Sequence, residues 1–152
     1  MTGPINYARV LLGGLAAGVV ANACDFIISS LFMADDLQRL ARRLNLDWAV
    51  VNSPAVLVTW IVVDFIYATL MVWTYAAIRP RLGPGPKTAM CAGLVLYAAV
   101  TAVLTGFQSM GMFTLDSFVK NAAFSLVTAI LTSLAGGAVY REAPEPVSAS
   151  AR

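Results

Sequence analysis

The stretch AVLVTWIVVDFIYATLMVWTYAAI, from Ala55 to Ile78, decides how this chain is read. Its one charged residue is Asp64, and it is longer than the roughly 20 helical residues that cross a bilayer. It shows no period-2 alternation. Inside hydrocarbon every amide needs an internal partner, which a single segment achieves only as a helix. Three more stretches read the same way: Val10 to Met33, Thr88 to Met110 and Phe118 to Tyr140. The expected fold is therefore all-α, a four-helix transmembrane bundle with antiparallel, up-down order. A single four-span membrane domain is expected over 1–140, followed by a disordered tail over 141–152.

Composition supports this. Of 152 residues, 59% are apolar and 12% charged, whereas soluble domains are about a quarter charged. A globule of this size leaves roughly a third of its unfolded surface exposed and could not hide so much apolar surface. Intrinsic disorder and a secreted disulfide scaffold are disfavoured on the same grounds. The net charge of +2 argues against nucleic acid as a partner. There is no histidine, so the commonest metal ligand and general base is missing. Cys24 and Cys91 fall at opposite ends of their spans and form no CxxC pair. No cofactor, metal or enzymatic activity is expected.

The segments between spans are punctuated. Ser53 is placed to cap the second span, with Pro54 at its first helical position. Arg79-Pro80-Arg81-Leu82-Gly83-Pro84-Gly85-Pro86-Lys87 should end that helix and turn the chain back. Gly111 and Thr114 to Ser117 make the last turn. Between spans one and two, Asp35 to Leu44 puts Leu37, Leu40 and Leu44 on one face. This predicts a short interfacial amphipathic helix, capped by Asp35 or Asp36 and followed by the aromatic anchor Trp48. A solvated helix packed on the end of the bundle is the alternative. The apolar run continues past Ala21-Asn22-Ala23 to Met33, which reads as an uncleaved span rather than a signal peptide. Arg9, Arg79, Arg81, Lys87, Arg141 and Arg152 lie on one side; Arg39, Arg42, Arg43 and Lys120 lie on the other or within the membrane. The excess predicts both termini on the cytoplasmic side.

Two carboxylates, Asp25 and Asp64, fall inside spans, where a charge costs roughly 2.5–3.5 kcal/mol. Counted from the expected span ends, both sit roughly 12–14 Å deep. Stripes at helical spacing accompany them: Gly14, Gly18, Asn22, Asp25 and Ser29; Trp60, Asp64, Tyr67, Met71 and Tyr75; Ala98, Thr101, Thr105 and Gln108; Asn121, Ser125, Thr128 and Thr132. The candidate site is a buried polar cluster of Asn22, Asp25, Asp64, Lys120 and Asn121, with Lys120 turning either inward to the acids or outward to water. Interhelical packing glue is the alternative reading of the same stripes. Gly13-Gly14 and Gly136-Gly137 suggest tight helix contact, within the chain or between subunits. Arg79, Arg81 and Lys87 are candidate contacts for lipid headgroups, or serve only as a topology signal.

The segment Tyr75-Ala76-Ala77-Ile78-Arg79-Pro80-Arg81-Leu82-Gly83-Pro84-Gly85-Pro86-Lys87-Thr88-Ala89 resembles a recurrent stretch of small uncharacterised bacterial four-span inner-membrane proteins. Gly13 to Gly18, followed by Asn22 and Asp25, is similar to theirs as well. The resemblance implies a multi-pass protein of the bacterial inner membrane and no particular activity.

Two functional readings follow. In one, the chain is a non-catalytic membrane subunit whose buried polar cluster sets helix register. In the other it is a small proton- or cation-coupled transporter or channel component that uses Asp25 and Asp64. The partners expected are the lipid bilayer and either a second copy or another membrane protein.

Overall fold

A computed structural model describes residues 5–142. Six helices are found in that range: α1 (Tyr7–Leu31), α2 (Ala34–Arg43), α3 (Trp48–Val51), α4 (Pro54–Leu82), α5 (Pro86–Ser109) and α6 (Leu115–Val139). Four of them, α1, α4, α5 and α6, are long and apolar enough to cross a bilayer. Large side chains such as Leu15, Val19, Leu57, Val58, Ile66 and Val103 point away from the other helices, as they must where hydrocarbon is the solvent. The chain is a multi-pass membrane protein. Of the tail expected to be disordered, all but Arg141 and Glu142 lies outside the described residues.

Helix starts follow from capping chemistry. Asn6 Oδ1 accepts from the Arg9 amide at 3.1 Å and starts α1. Ser53 Oγ accepts from the Val56 amide at 3.4 Å, with Pro54 first in α4. Thr114 Oγ1 accepts from the Ser117 amide at 3.2 Å and starts α6. Each supplies an acceptor to one of the amides that a helix start leaves unpaired.

Two expectations about the connections are corrected. The helix predicted to stop at Ile78 runs on to Leu82, with Pro80 inside it. Proline removes a single ladder bond there, and the helix ends two residues later. Gly83, at φ +81°, then closes the end by donating its amide to Arg79 O at 2.9 Å. Thr88 Oγ1 donates to Gly83 O at 2.8 Å, and Tyr75 OH accepts from the Gly85 amide at 3.2 Å. The α4–α5 turn is thus stitched to both of its helices. In α2, neither aspartate is the cap. Met33 holds that position without a side-chain bond, while Asp35 and Asp36 lie in the first turn, where the helix dipole favours them.

The four spanning helices form a ring in which α1 and α5 each pack on α4 and α6. Packing is uneven along the axis. Buried positions run from Val10 to Ala21 in α1, Ala68 to Ala76 in α4, Thr88 to Gly93 in α5 and Ala129 to Gly136 in α6. All of these lie toward the end that carries both chain termini and the α4–α5 turn, called the terminal end below. A Cβ added to Gly13 would lie 3.0 Å from Gly136 O, and one on Gly93 would lie 2.8 Å from Ala129 O. The glycine pairs therefore bring helices of one chain into backbone contact. Past Gly93, no residue of α5 is buried. Toward the α2 end the helices spread apart.

Candidate functional site

The spreading leaves a cavity of about 560 Å³ in the α2 half of the bundle. Asp25 reaches it from α1, and Trp60, Asp64, Tyr67 and Met71 from α4. Tyr97, Thr101 and Leu104 come from α5, and Asn121, Ser125, Thr128 and Thr132 from α6. Leu37, Leu40, Arg39 and Arg43 of α2 form the rim. The polar stripes on α4 and α6 thus turn toward one another, though without the direct contact that glue requires; of the α5 stripe only Thr101 lines the cavity, and Thr105 is exposed. Each counted from its own helix end, Asp25 lies roughly 9 Å and Asp64 roughly 15 Å in, not at the one depth expected. The close approach of Gly136 to Val72 puts Thr128 near the level of Asp64 and Thr132 one turn deeper, with Met71 at the floor.

Asp25 and Asp64 accept no hydrogen bond and form no ion pair with any described side chain. The hydroxyls of Thr128 and Thr132 are buried and also lack partners, although Thr132 is 1% exposed. Other intrahelical threonines behave differently: Thr59, Thr69, Thr74 and Thr105 each donate to the carbonyl four residues earlier, at 2.8–2.9 Å. A buried hydroxyl that forgoes this local bond is costly unless something else meets it.

The five residues expected to cluster are divided. Asp25, Asp64 and Asn121 share the cavity. Asn22 instead ties α1 to α4, donating to Gly18 O at 2.9 Å and Ile61 O at 3.5 Å. Lys120 points to the rim, with Nζ 2.7 Å from Asp116 and 3.7 Å from Asp36. Carboxylates lie one helical turn away and across on α2, so its ammonium is paired at the wet end and stays away from the deeper acids.

Asp36 is the residue that sequence reasoning missed. Its side chain is buried, accepting from Ser117 Oγ at 2.5 Å and Arg39 Nη2 at 2.6 Å. These bonds, with Ser117 the stronger influence and Lys120 the weakest, hold its carboxyl below the usual carboxylate range. Arg43 Nη2 donates to Gly111 O at 3.1 Å. Together they fasten α2 across the end of α6 and the α5–α6 turn. Nothing local marks this role, since Asp36 also suits a helix first turn; Ser117 and Lys120, three apart on α6, were the only hint.

At the terminal end, Arg79 is turned inward, with Nε and Nη1 buried and without a hydrogen-bond partner among the described residues. Its guanidinium lies 6.0 Å from the Tyr75 ring centroid and 5.7 Å from that of Tyr140. Its Nη1 is 3.3 Å from Glu142 Oε1. Aromatic faces and a carboxylate take up the charge that was expected to meet lipid. Arg81 and Lys87 are exposed on the turn. No group of three histidine, cysteine or acidic side chains converges among the described residues. Comparison with family models, curated proteins and solved structures finds no match for this chain.

Proposed function

We propose that this chain is a cation-handling component of a membrane transport system, in which Asp25 and Asp64 hold a proton or cation within the cavity that opens beneath α2. The observation that carries the reading is that both carboxylates line a cavity inside an apolar bundle and have no protein partner there. Acids retained at such a cost inside a membrane serve pathways or binding sites. The subunit reading is weaker: glue needs polar groups bonded across helices, and these two acids make no such bonds. The basic residues Arg9, Arg79, Arg81, Lys87 and Arg141 near the terminal end favour a cytoplasmic location for both termini; a bacterial inner membrane is proposed on the resemblance of the Tyr75–Ala89 segment alone.

Carbodiimide labelling tests the proposal. Asp25 and Asp64 of the detergent-solubilised protein should react, and peptide mass spectrometry should locate the adducts. Within a panel of alkali and alkylammonium salts, at least one cation should slow labelling at these positions about tenfold. Rates that no cation in the panel changes would refute cation binding.

A further inference from the structure

Charge is segregated along the cavity, and that segregation narrows the ligand. The two unpartnered carboxylates, Asp25 and Asp64, lie deep, while the rim carries Arg39 and Arg43 together with Asp36, with apolar wall such as Val100 and Leu104 between the levels. Of the two rim arginines, Arg39 is neutralised by Asp36 at 2.6 Å. Arg43 has a carbonyl partner, Gly111 O, and no carboxylate partner among the described residues. A guanidinium carries five donors, so Arg43 keeps donors to offer at the mouth. A simple cation would meet this positive group on the way in and gain nothing from it.

Resting on the cation reading above, we infer that the cavity takes an amphiphilic zwitterion with its two charges at opposite ends of an apolar chain. The ammonium end sits between Asp25 and Asp64. Its three donors match the two carboxylates together with the unpartnered hydroxyl of Thr128, with the Thr132 hydroxyl one helical turn deeper in the cavity. The buried Thr132 hydroxyl is a second feature, independent of the acids, that calls for a polar ligand atom. The anionic end reaches Arg43. Helical rise separates the two levels by roughly 10–15 Å. An extended chain advances roughly 1.2 Å per bond, as three backbone bonds span one residue, so about eight to twelve bonds bridge the gap. An aminophospholipid headgroup does not fit, because its opposite charges are only a few bonds apart.

Calorimetry on the solubilised full chain tests this with 8-aminooctanoate, octylamine and octanoate as probes. The amino acid should bind at least tenfold more tightly than the amine, and octanoate should not bind. Arg43→Gln should shrink the preference for amino acid over amine to less than threefold. Arg43→Lys should retain most of it, and so should Arg42→Gln, whose arginine bonds Gln38 instead. Asp25→Asn combined with Asp64→Asn should weaken amine and amino acid alike. If amine and amino acid bind equally, or the preference survives in Arg43→Gln, the zwitterion is refuted while cation binding stands. If neither probe binds, the inference fails, and carbodiimide protection then decides the cation reading separately.

Discussion

The two halves of this bundle are built from the same four helices and obey opposite rules. At the terminal end, glycine, alanine and serine let backbones touch, and Tyr75 and Tyr140 close the layer edge-to-face at 5.8 Å. At the α2 end, the helices stand apart around Asp25 and Asp64, and a separate short helix bridges the opening. Association in lipid depends on close packing and interhelical bonds rather than on expelling water. A bundle clamped at one end can therefore remain hollow at the other. What distinguishes the halves is how closely the helices approach: Gly13 and Gly136 meet backbone to backbone at one end, while at the other Asp25 and Asp64 face a cavity without a protein partner among the described residues.

One helix crosses both halves, and it offers the sharpest test. Gly93→Ala puts a Cβ 2.8 Å from the Ala129 carbonyl, whereas Gly106→Ala meets nothing within 4 Å. The first should destabilise by about 1–3 kcal/mol through overpacking, and the second should stabilise by about 0.5–1 kcal/mol through helix propensity. Reversible unfolding in mixed micelles measures both. Equal effects would show that the halves are equally loose.

Next in size is Asp36→Ala, expected to cost about 1–2 kcal/mol for lost bonds to a charged acceptor. The loss is held down because Arg39 and Lys120 are exposed enough to regain water. The same site has a pH signature. Its carboxyl titrates below the ordinary value near ~4, so its contribution is complete above that value and is lost as the pH falls through the lowered one. Protection of the α2 amides, relative to their intrinsic exchange at each pH, should thus be steady from neutral pH down to about 5 and be lost in strong acid. Asp36→Ala should exchange quickly throughout.

A smaller effect is expected at the clamp. Tyr75→Phe removes the acceptor for the Gly85 amide and should cost about 1 kcal/mol, with faster exchange confined to the α4–α5 turn. The smallest loss belongs to the hollow half: Asp25→Asn and Asp64→Asn should each cost less than about 0.5 kcal/mol of stability, because no protein bond is broken. A large loss in either would mean that these acids hold the fold together.

Much of the architecture was legible in order of appearance. The Ser53-Pro54 start, the Gly111 and Thr114 turn and the short helix after Met33 are each written in a few adjacent residues. The glycine pairs signalled close contact, though not with which helix. The site was less legible. Asn22 and Asp25 lie three apart on α1, yet one bonds across to α4 while the other lines the cavity, a split that depends on helix rotation. Lys120 pairs most closely with Asp116, one turn earlier at 2.7 Å, while its second acid, Asp36 at 3.7 Å, is 84 positions away in the chain. Arg79 looked like a headgroup contact because Tyr140 and Glu142, far along the chain, were not visible as its neighbours.

By itself the sequence determined the solvent and the number of spanning helices, though not the short α3 at Trp48–Val51. Hydropathy and segment length are properties of neighbouring residues, and oil permits a lone segment only one way to satisfy its amides. The tertiary structure alone decided that one end closes and the other stays hollow, and which acids are left without partners. Those outcomes depend on how small residues let helices approach and on how far the helices spread beyond that contact, relations that no single segment contains.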